Sequence, residues 1–380
     1  MLQRSCFQGI SSFKFKKGGM LNNRTVVTAV LILLLTGVLI ILPTSHVIAS
    51  EAPTPDDVKN ALSGGSTYQP LSDAANVQPS PNSEVALGFS TETVDTTVPR
   101  SADKSIQISA KNGEVIGVRL PYANDSSVAE SISEGAVAYP NAKGFTSAPI
   151  VKSDGSVQIA TVVGSSEAPE LYPYSLEIPE DATVKVTEDG GVVITGGDGR
   201  FIGGLTPPWA RDANGVTVET KYEISEGSVT QVVNHRKADV TYPVVADPWL
   251  GVEFFGQTWE NRNGPEVGQP VISARLTNWA LYWYLNSTPL NPVVPPIQPL
   301  LYTQGWDELV RKQPKSDDKP TIRQQYECHV LYGQAVWAAG VHWDLEMFRP
   351  NNPEWILQNP MAHKCNWDTA DGRRLPAQIG

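Results

Sequence analysis

The sequence predicts a mixed fold: an all-β, sandwich-like middle domain followed by a small α+β C-terminal domain with one disulfide. Three observations predict it. Short β-branched runs separated by turn dipeptides fill residues 105–249, the pattern of half-buried antiparallel strands. Residues 250–380 hold eight of the ten tryptophans and the strongest helical stripe of the chain. Two cysteines, Cys328 and Cys365, remain once the N-terminal leader is set aside.

That leader comes first. Residues 25–42 are an uncharged, mostly apolar run preceded by Lys14, Lys16, Lys17 and Arg24 and followed by small residues up to Ala49. This is the layout of a signal peptide over residues 1–49. The run also reaches the lower limit for spanning a bilayer, so an uncleaved signal anchor is the alternative, and the only membrane contact expected. Met20 is a second candidate start. Either way the remaining chain is expected to be secreted or extracytoplasmic, held at the outer membrane face if the segment is not cleaved. With 40 acidic against 29 basic residues and a net charge of −11, no nucleic-acid partner is expected.

Residues 50–104 are rich in Ser, Thr, Pro and Asp and lack a sustained apolar period, which reads as a disordered spacer. The β-rich domain, residues 105–249, then carries strand signals at 105–109, 114–120, 156–163, 172–178, 183–187, 191–195, 216–224, 228–234 and 239–246. Asn112-Gly113, Asp154-Gly155, Asp189-Gly190, Asp198-Gly199 and Asn214-Gly215 supply the positive-φ residues that tight hairpins need. Alternation over 183–187 puts Val184 and Val186 on one face, which is expected to be the buried one. No stretch supplies the helical crossovers that parallel strands require, so a sandwich follows.

In the C-terminal domain, residues 250–380, a proline-rich loop at 286–299 and a polar break at 312–320 precede the helix. Ile322, Tyr326, His329, Val330, Gly333 and Trp337 share one of its faces, and Gly340 ends it. A strand follows, with Val341, Trp343, Leu345 and Met347 alternating with His342, Asp344, Glu346 and Phe348. Cys328 and Cys365 form an even pair in an oxidising compartment and are expected to bond; free thiols or a metal pair are the alternatives.

Two passages resemble known families. Tyr172-Pro173-Tyr174, Pro208-Trp209-Ala210, Asp212-Ala213-Asn214-Gly215 and the run from Tyr242 to Pro248 resemble a β-rich region of exported actinobacterial proteins. Gln325, Cys328-His329, Trp343, Leu345-Glu346, Arg349-Pro350 and Cys365-Asn366 resemble the domain of unknown function 2599 family. The resemblance implies export, this architecture and the Cys328–Cys365 pairing, and it brings no activity.

Chemistry has few carriers. His342, Asp344 and Glu346 alternate onto one face of the predicted strand, with His329 and His363 within reach through the disulfide; imidazole and carboxylates together can bind a metal or exchange protons. Any half-buried strand shows such polar alternation, His329 lies on the apolar stripe as a core histidine would, and Glu346 can simply pair with Arg349. Trp279, Trp283, Trp306 and Trp355, with Arg349, are candidates for an exposed binding surface; Trp337 and Trp343 fall on buried faces. The sequence contains no nucleophile elbow, metalloprotease helix, phosphate loop or calcium loop, and no cofactor or metal is expected. The reading is a secreted or cell-surface binding protein of unknown ligand, its partner a cell-wall glycan or another surface protein. A secreted enzyme or antibacterial effector using the His/Asp/Glu cluster, and a cell-envelope scaffold, are the rivals.

Overall fold

The computed structural model describes residues 51–64, 69–81, 83–111, 113, 115–261, 270–286, 297–336, 342–369 and 372–373. The expected leader, Asn112, Trp337, Gly340 and Val341 lie outside them. Among the described residues no helix is long and apolar enough to cross a membrane.

The β-branched runs form two large antiparallel sheets. The first has seven strands in the order Val85–Ser90, Val94–Pro99, Ile106–Ala110, Val115–Arg119, Leu171–Glu177, Ser228–Val233, Thr220–Ser225. The second runs Thr183–Val186, Val192–Thr195, Phe201–Leu205, Trp249–Gly251, Val157–Val163, Phe145–Val151, Ala136–Asn141, Glu130–Ser133, and Val244–Asp247 joins Trp209–Arg211 to Val157–Val163. Apolar side chains of both sheets interleave in one core. The Phe145 and Tyr172 rings meet edge-on at 5.1 Å, and the Thr161 and Tyr174 hydroxyls lie 2.9 Å apart. The middle of the chain is therefore a sandwich. Gly155 and Gly215 take φ of 84° and 78°, as their turn dipeptides require.

Two expectations are corrected here. Residues 50–104 are not a disordered spacer: Pro55–Ser63 is helical, and Val85–Ser90 and Val94–Pro99 open the first sheet. The helix starts with a capping box, in which the Thr54 side chain accepts from Asp57 N and the Asp57 carboxylate accepts from Thr54 N, with Pro55 in the first turn. One turn apart, Val58 and Leu62 are fully buried beside Ala136, Ala138, Ile150, Ala160 and Val162. That apolar pair covers the outer face of the second sheet, so Phe145–Val151 and Val157–Val163 are buried along their whole length. The second correction concerns Thr183–Val186, whose valines are only partly covered, Val186 being exposed. The strand is the edge of its sheet, where only Val184 packs against the sandwich core.

The C-terminal region adds a three-stranded antiparallel sheet, Phe255–Asn261, Val271–Leu276 and His342–Glu346, and the helices Asn278–Asn286, Trp306–Lys312 and Pro320–Val336. Ile322, Tyr326 and Val330 of the longest helix are fully buried against Trp343 and Leu345, as the stripe predicts. The same aromatic core continues into the sandwich. Gly251 and Gly191 sit against the Trp279 and Trp283 rings, where a Cβ would lie 2.3 Å and 2.5 Å from ring carbons. Only the absence of a side chain lets the indoles reach the sheet. Asp154 Oδ2 accepts from Trp279 N, Trp279 Nε1 donates to the Trp249 carbonyl at 3.0 Å, and Trp283 Nε1 donates to Asp189. A fully buried aromatic side chain contributes roughly 3 kcal/mol, so two such anchors join the C-terminal region firmly to the sandwich.

Candidate functional site

His342, Asp344 and Glu346 point from the outward face of the three-stranded sheet, and they do not converge. His342 is exposed and meets the Trp259 ring edge-on at 4.7 Å. Asp344 accepts from Ser273 Oγ at 2.6 Å. Glu346 pairs with Arg349, which also binds Asp368. His329 lies on the opposite side of the sheet, stacked on Trp343 with 10° between ring planes. Burial pushes its pKa down to about 4, against an opposing hydrogen bond to the Asn366 side chain, so it is neutral at ordinary pH. His363 is fully buried and accepts from Cys365 N at 3.0 Å through Nδ1. It lies within 4.8 Å of both cysteine sulfurs, but these are consumed in the Cys328–Cys365 disulfide, whose Cα atoms are 5.5 Å apart.

Of the residues that carry the C-terminal resemblance, Gln325, Glu346, Asn366 and the two cysteines share one task. The Gln325 amide donates to Glu346 O at 3.0 Å and accepts from Glu346 N at 2.8 Å, occupying the open edge of the His342–Glu346 strand. Asn366 Nδ2 donates to Gln325 Oε1 and to Asp344 O. The disulfide holds Asn366 there by tying its neighbour Cys365 to the helix that carries Gln325. The motif closes a sheet edge, an architectural role.

The tryptophans expected on a binding surface are not on one. Trp279 and Trp283 are fully buried, Trp355 is 6% and Trp306 9% exposed; the first two and Trp306 fill the core between helices, sheet and sandwich, and Trp355 packs with Trp367 around the disulfide. Arg349 is held in its two ion pairs. An exposed tryptophan exists at Trp259, on the outward face of the strand Phe255–Asn261. Its polar neighbours, Gln257 to Asn261, did not mark it as exposed, since the buried Trp343 is flanked by polar residues in the same way.

A larger feature lies on the sandwich. A groove of about 860 Å³ runs between the helix Pro55–Ser63 and the strand Trp209–Arg211, within the size range of ligand sites. Trp209 and Arg211, both half-buried, and Val245 line it on one side; Asp57 and Asn60 of the helix face them, and Asn214 stands at its end. The turn beside it is rigid. Asp212 Oδ1 accepts from Asn214 N and Val216 N at 2.9 Å and 2.8 Å, and Oδ2 from Thr241 N at 3.2 Å. Among the described residues no ion pair engages Arg211. Directly opposite Trp209 in the strand register is Asp247. It is fully buried, and desolvation raises its pKa to about 7, against hydrogen bonds from Gln158 and Trp209 and the charge of Lys152. The sequence marked these residues only as part of a resemblance. Nothing in Pro208-Trp209-Ala210 alone says that the helix at 55–63 comes to face it.

No curated protein matches the chain. Among solved structures, a glycoside hydrolase family 81 enzyme from Clostridium thermocellum is similar at 12% identity with a TM-score of 0.18, over 62% of this chain and 33% of that one; a likeness this loose carries no argument. The chain spans a third of that enzyme's length. Residues 297–368 match the family model described as Protein of unknown function (DUF2599), in agreement with the resemblance of the segment from Gln325 to Asn366.

Proposed function

We propose that this is an extracytoplasmic binding protein whose groove between residues 55–63 and 209–215 holds a short segment of a polar, acceptor-bearing glycan. The carrying observation is the groove itself: an indole and a guanidinium side by side, faced by Asp57 and Asn60, on backbone fixed by Asp212. An aromatic face packs on a sugar ring at low entropy cost, and a guanidinium presents paired donors to carboxylate or hydroxyl oxygens. The basic-then-apolar beginning of the chain and the disulfide support a place outside the cytoplasm. The catalytic rival loses its support, since its candidate residues are dispersed over two faces of a sheet. The test is calorimetric titration of the full chain with soluble cell-wall glycan fragments. Trp209→Ala and Arg211→Ala are each expected to weaken binding about tenfold or more, the equivalent of about 1.4 kcal/mol, while His342→Ala and Glu346→Ala leave it unchanged. Undiminished affinity in the first pair, or no binding by the wild type, would overturn the proposal.

A further inference from the structure

Lys152 is fully buried, a rare position for an ammonium group. It follows the strand Phe145–Val151 and forms an isolated antiparallel bridge with Ala74, and Ser153 N donates to Asp73 O at 3.0 Å. The two extended segments are thereby held side by side. Lys152 Nζ lies 2.5 Å from Asp73 Oδ1, donates also to the Pro70 carbonyl, and packs over the Trp249 ring 4.9 Å from its centroid. Asp154 and Asp247 are the other carboxyls whose charges reach it.

A buried amine, a carboxyl group in contact with it and an indole packed over the amine are the components of an amide-forming site. We propose that Lys152 and Asp73 join in an intramolecular isopeptide bond. A proton passes from the Lys152 ammonium to the Asp73 carboxylate across the existing contact, leaving a neutral amine and a neutral acid. The Nζ lone pair attacks Cγ of Asp73, the Cγ–N bond forms and the Cγ–OH bond breaks. The hydroxyl leaves with a proton from nitrogen as one water molecule, so no oxidant or co-reactant is consumed. Proximity removes the entropy of encounter, and burial of Lys152 disfavours its charged form. Burial acts on the amine and on a neighbouring carboxyl whose charge reaches it. It draws the Lys152 ammonium below its usual pKa and raises Asp247 to about 7, which keeps a neutral acid in the neighbourhood at neutral pH. The bond would tie the segment leading out of the N-terminal helix to the second sheet across a separation of 79 residues, a covalent clamp on one wall of the groove.

Intact-mass spectrometry of the purified full chain, denatured and with its disulfide reduced by a thiol, tests the proposal. The expected mass is lower than that of the unmodified chain by one water, and proteolysis yields a branched peptide joining Asp73 to Lys152. Lys152→Arg keeps the charge and cannot form this amide, so its mass should show no loss. An unshifted wild-type mass with two separate linear peptides, or a water loss that persists in Lys152→Arg, would overturn the assignment. The wild-type measurement decides the matter even if the variant does not fold.

Discussion

Replacing Gly251 by alanine inserts one methyl group at the joint between sandwich and C-terminal region. The new Cβ would lie 2.3 Å from Trp279 Cδ2, 2.5 Å from Cγ and 2.8 Å from Cε3, where relaxed carbon contacts sit near 3.5–4.0 Å. The ring has nowhere to go. Trp279 is fully buried, its indole N–H is bonded to the Trp249 carbonyl at 3.0 Å, and its backbone N–H is bonded to Asp154. Overpacking by one methylene in a tight core costs about 1–3 kcal/mol, and because three ring atoms are crowded at once the expected loss is at the upper end, about 3 kcal/mol. Gly88→Ala is the control, since its Cβ would meet nothing nearer than 3.7 Å and the change should stay within about 0.5 kcal/mol. The assay is urea unfolding followed by tryptophan fluorescence, with the transition midpoint converted through the slope. If Gly251→Ala unfolds at the same midpoint as Gly88→Ala, Trp279 does not seat on the sheet and the account of the joint is wrong.

Other outcomes follow from the same structure. Thr54→Ala removes the N-cap of the helix Pro55–Ser63 and should cost about 1 kcal/mol in the same assay; Leu62→Ala, at a fully buried position, should cost about 2–5 kcal/mol. Cys328→Ser with Cys365→Ser opens a loop spanning 37 residues and should lower stability by about 4 kcal/mol. His329 and Asp247 give opposite pH slopes. The folded His329 pKa of about 4 lies below the ordinary value of 6.5, so the unfolded chain takes up the proton first, and the stabilisation present above pH 6.5 is lost as pH falls towards 4, about 3 kcal/mol in all. Asp247 is raised from 3.8 to about 7, so its stabilisation is present below pH 3.8 and is lost as pH rises to about 7, about 4 kcal/mol. Unfolding free energies of wild type, His329→Gln and Asp247→Asn between pH 4 and 8 separate the two: the wild type should lose ground to the first variant on acidification and to the second on alkalinisation. A difference independent of pH would contradict the buried, unprotonated or protonated states assigned to them.

What could be read from the sequence was local. The turns at Asp154-Gly155, Asp189-Gly190, Asp198-Gly199 and Asn214-Gly215, the stripe through Ile322, Tyr326 and Val330, and the alternation around Trp343 each depend on neighbours a few residues away, and each took its expected form; Asn112-Gly113 falls partly outside the described residues. The N-terminal helix was also written locally, as Thr54-Pro55-x-Asp57 ahead of Val58 and Leu62, but its apolar face is only two residues wide and was overshadowed by the polar composition around it. Strands Ala136–Asn141 and Phe145–Val151 carry Ala, Ser and Pro and are buried on both faces, so they lack the alternation that marks a one-sided strand. The tryptophans failed as surface candidates for a different reason. Whether Trp279 and Trp283 are bare or covered depends on Gly251 and Gly191, remote glycines whose part in the packing appears only after the chain has folded. The groove has the same origin, for it brings residues 55–63 opposite residues 209–215, segments about 150 apart in sequence.

Hydrogen–deuterium exchange of the full chain, with and without a saturating cell-wall glycan fragment, tests the location of the binding site most directly. The account predicts added protection of backbone amides in residues 55–63 and 209–215, and none in 257–261 or 342–346. Protection confined to the outward face of the three-stranded sheet, around Trp259 and His342, would contradict it.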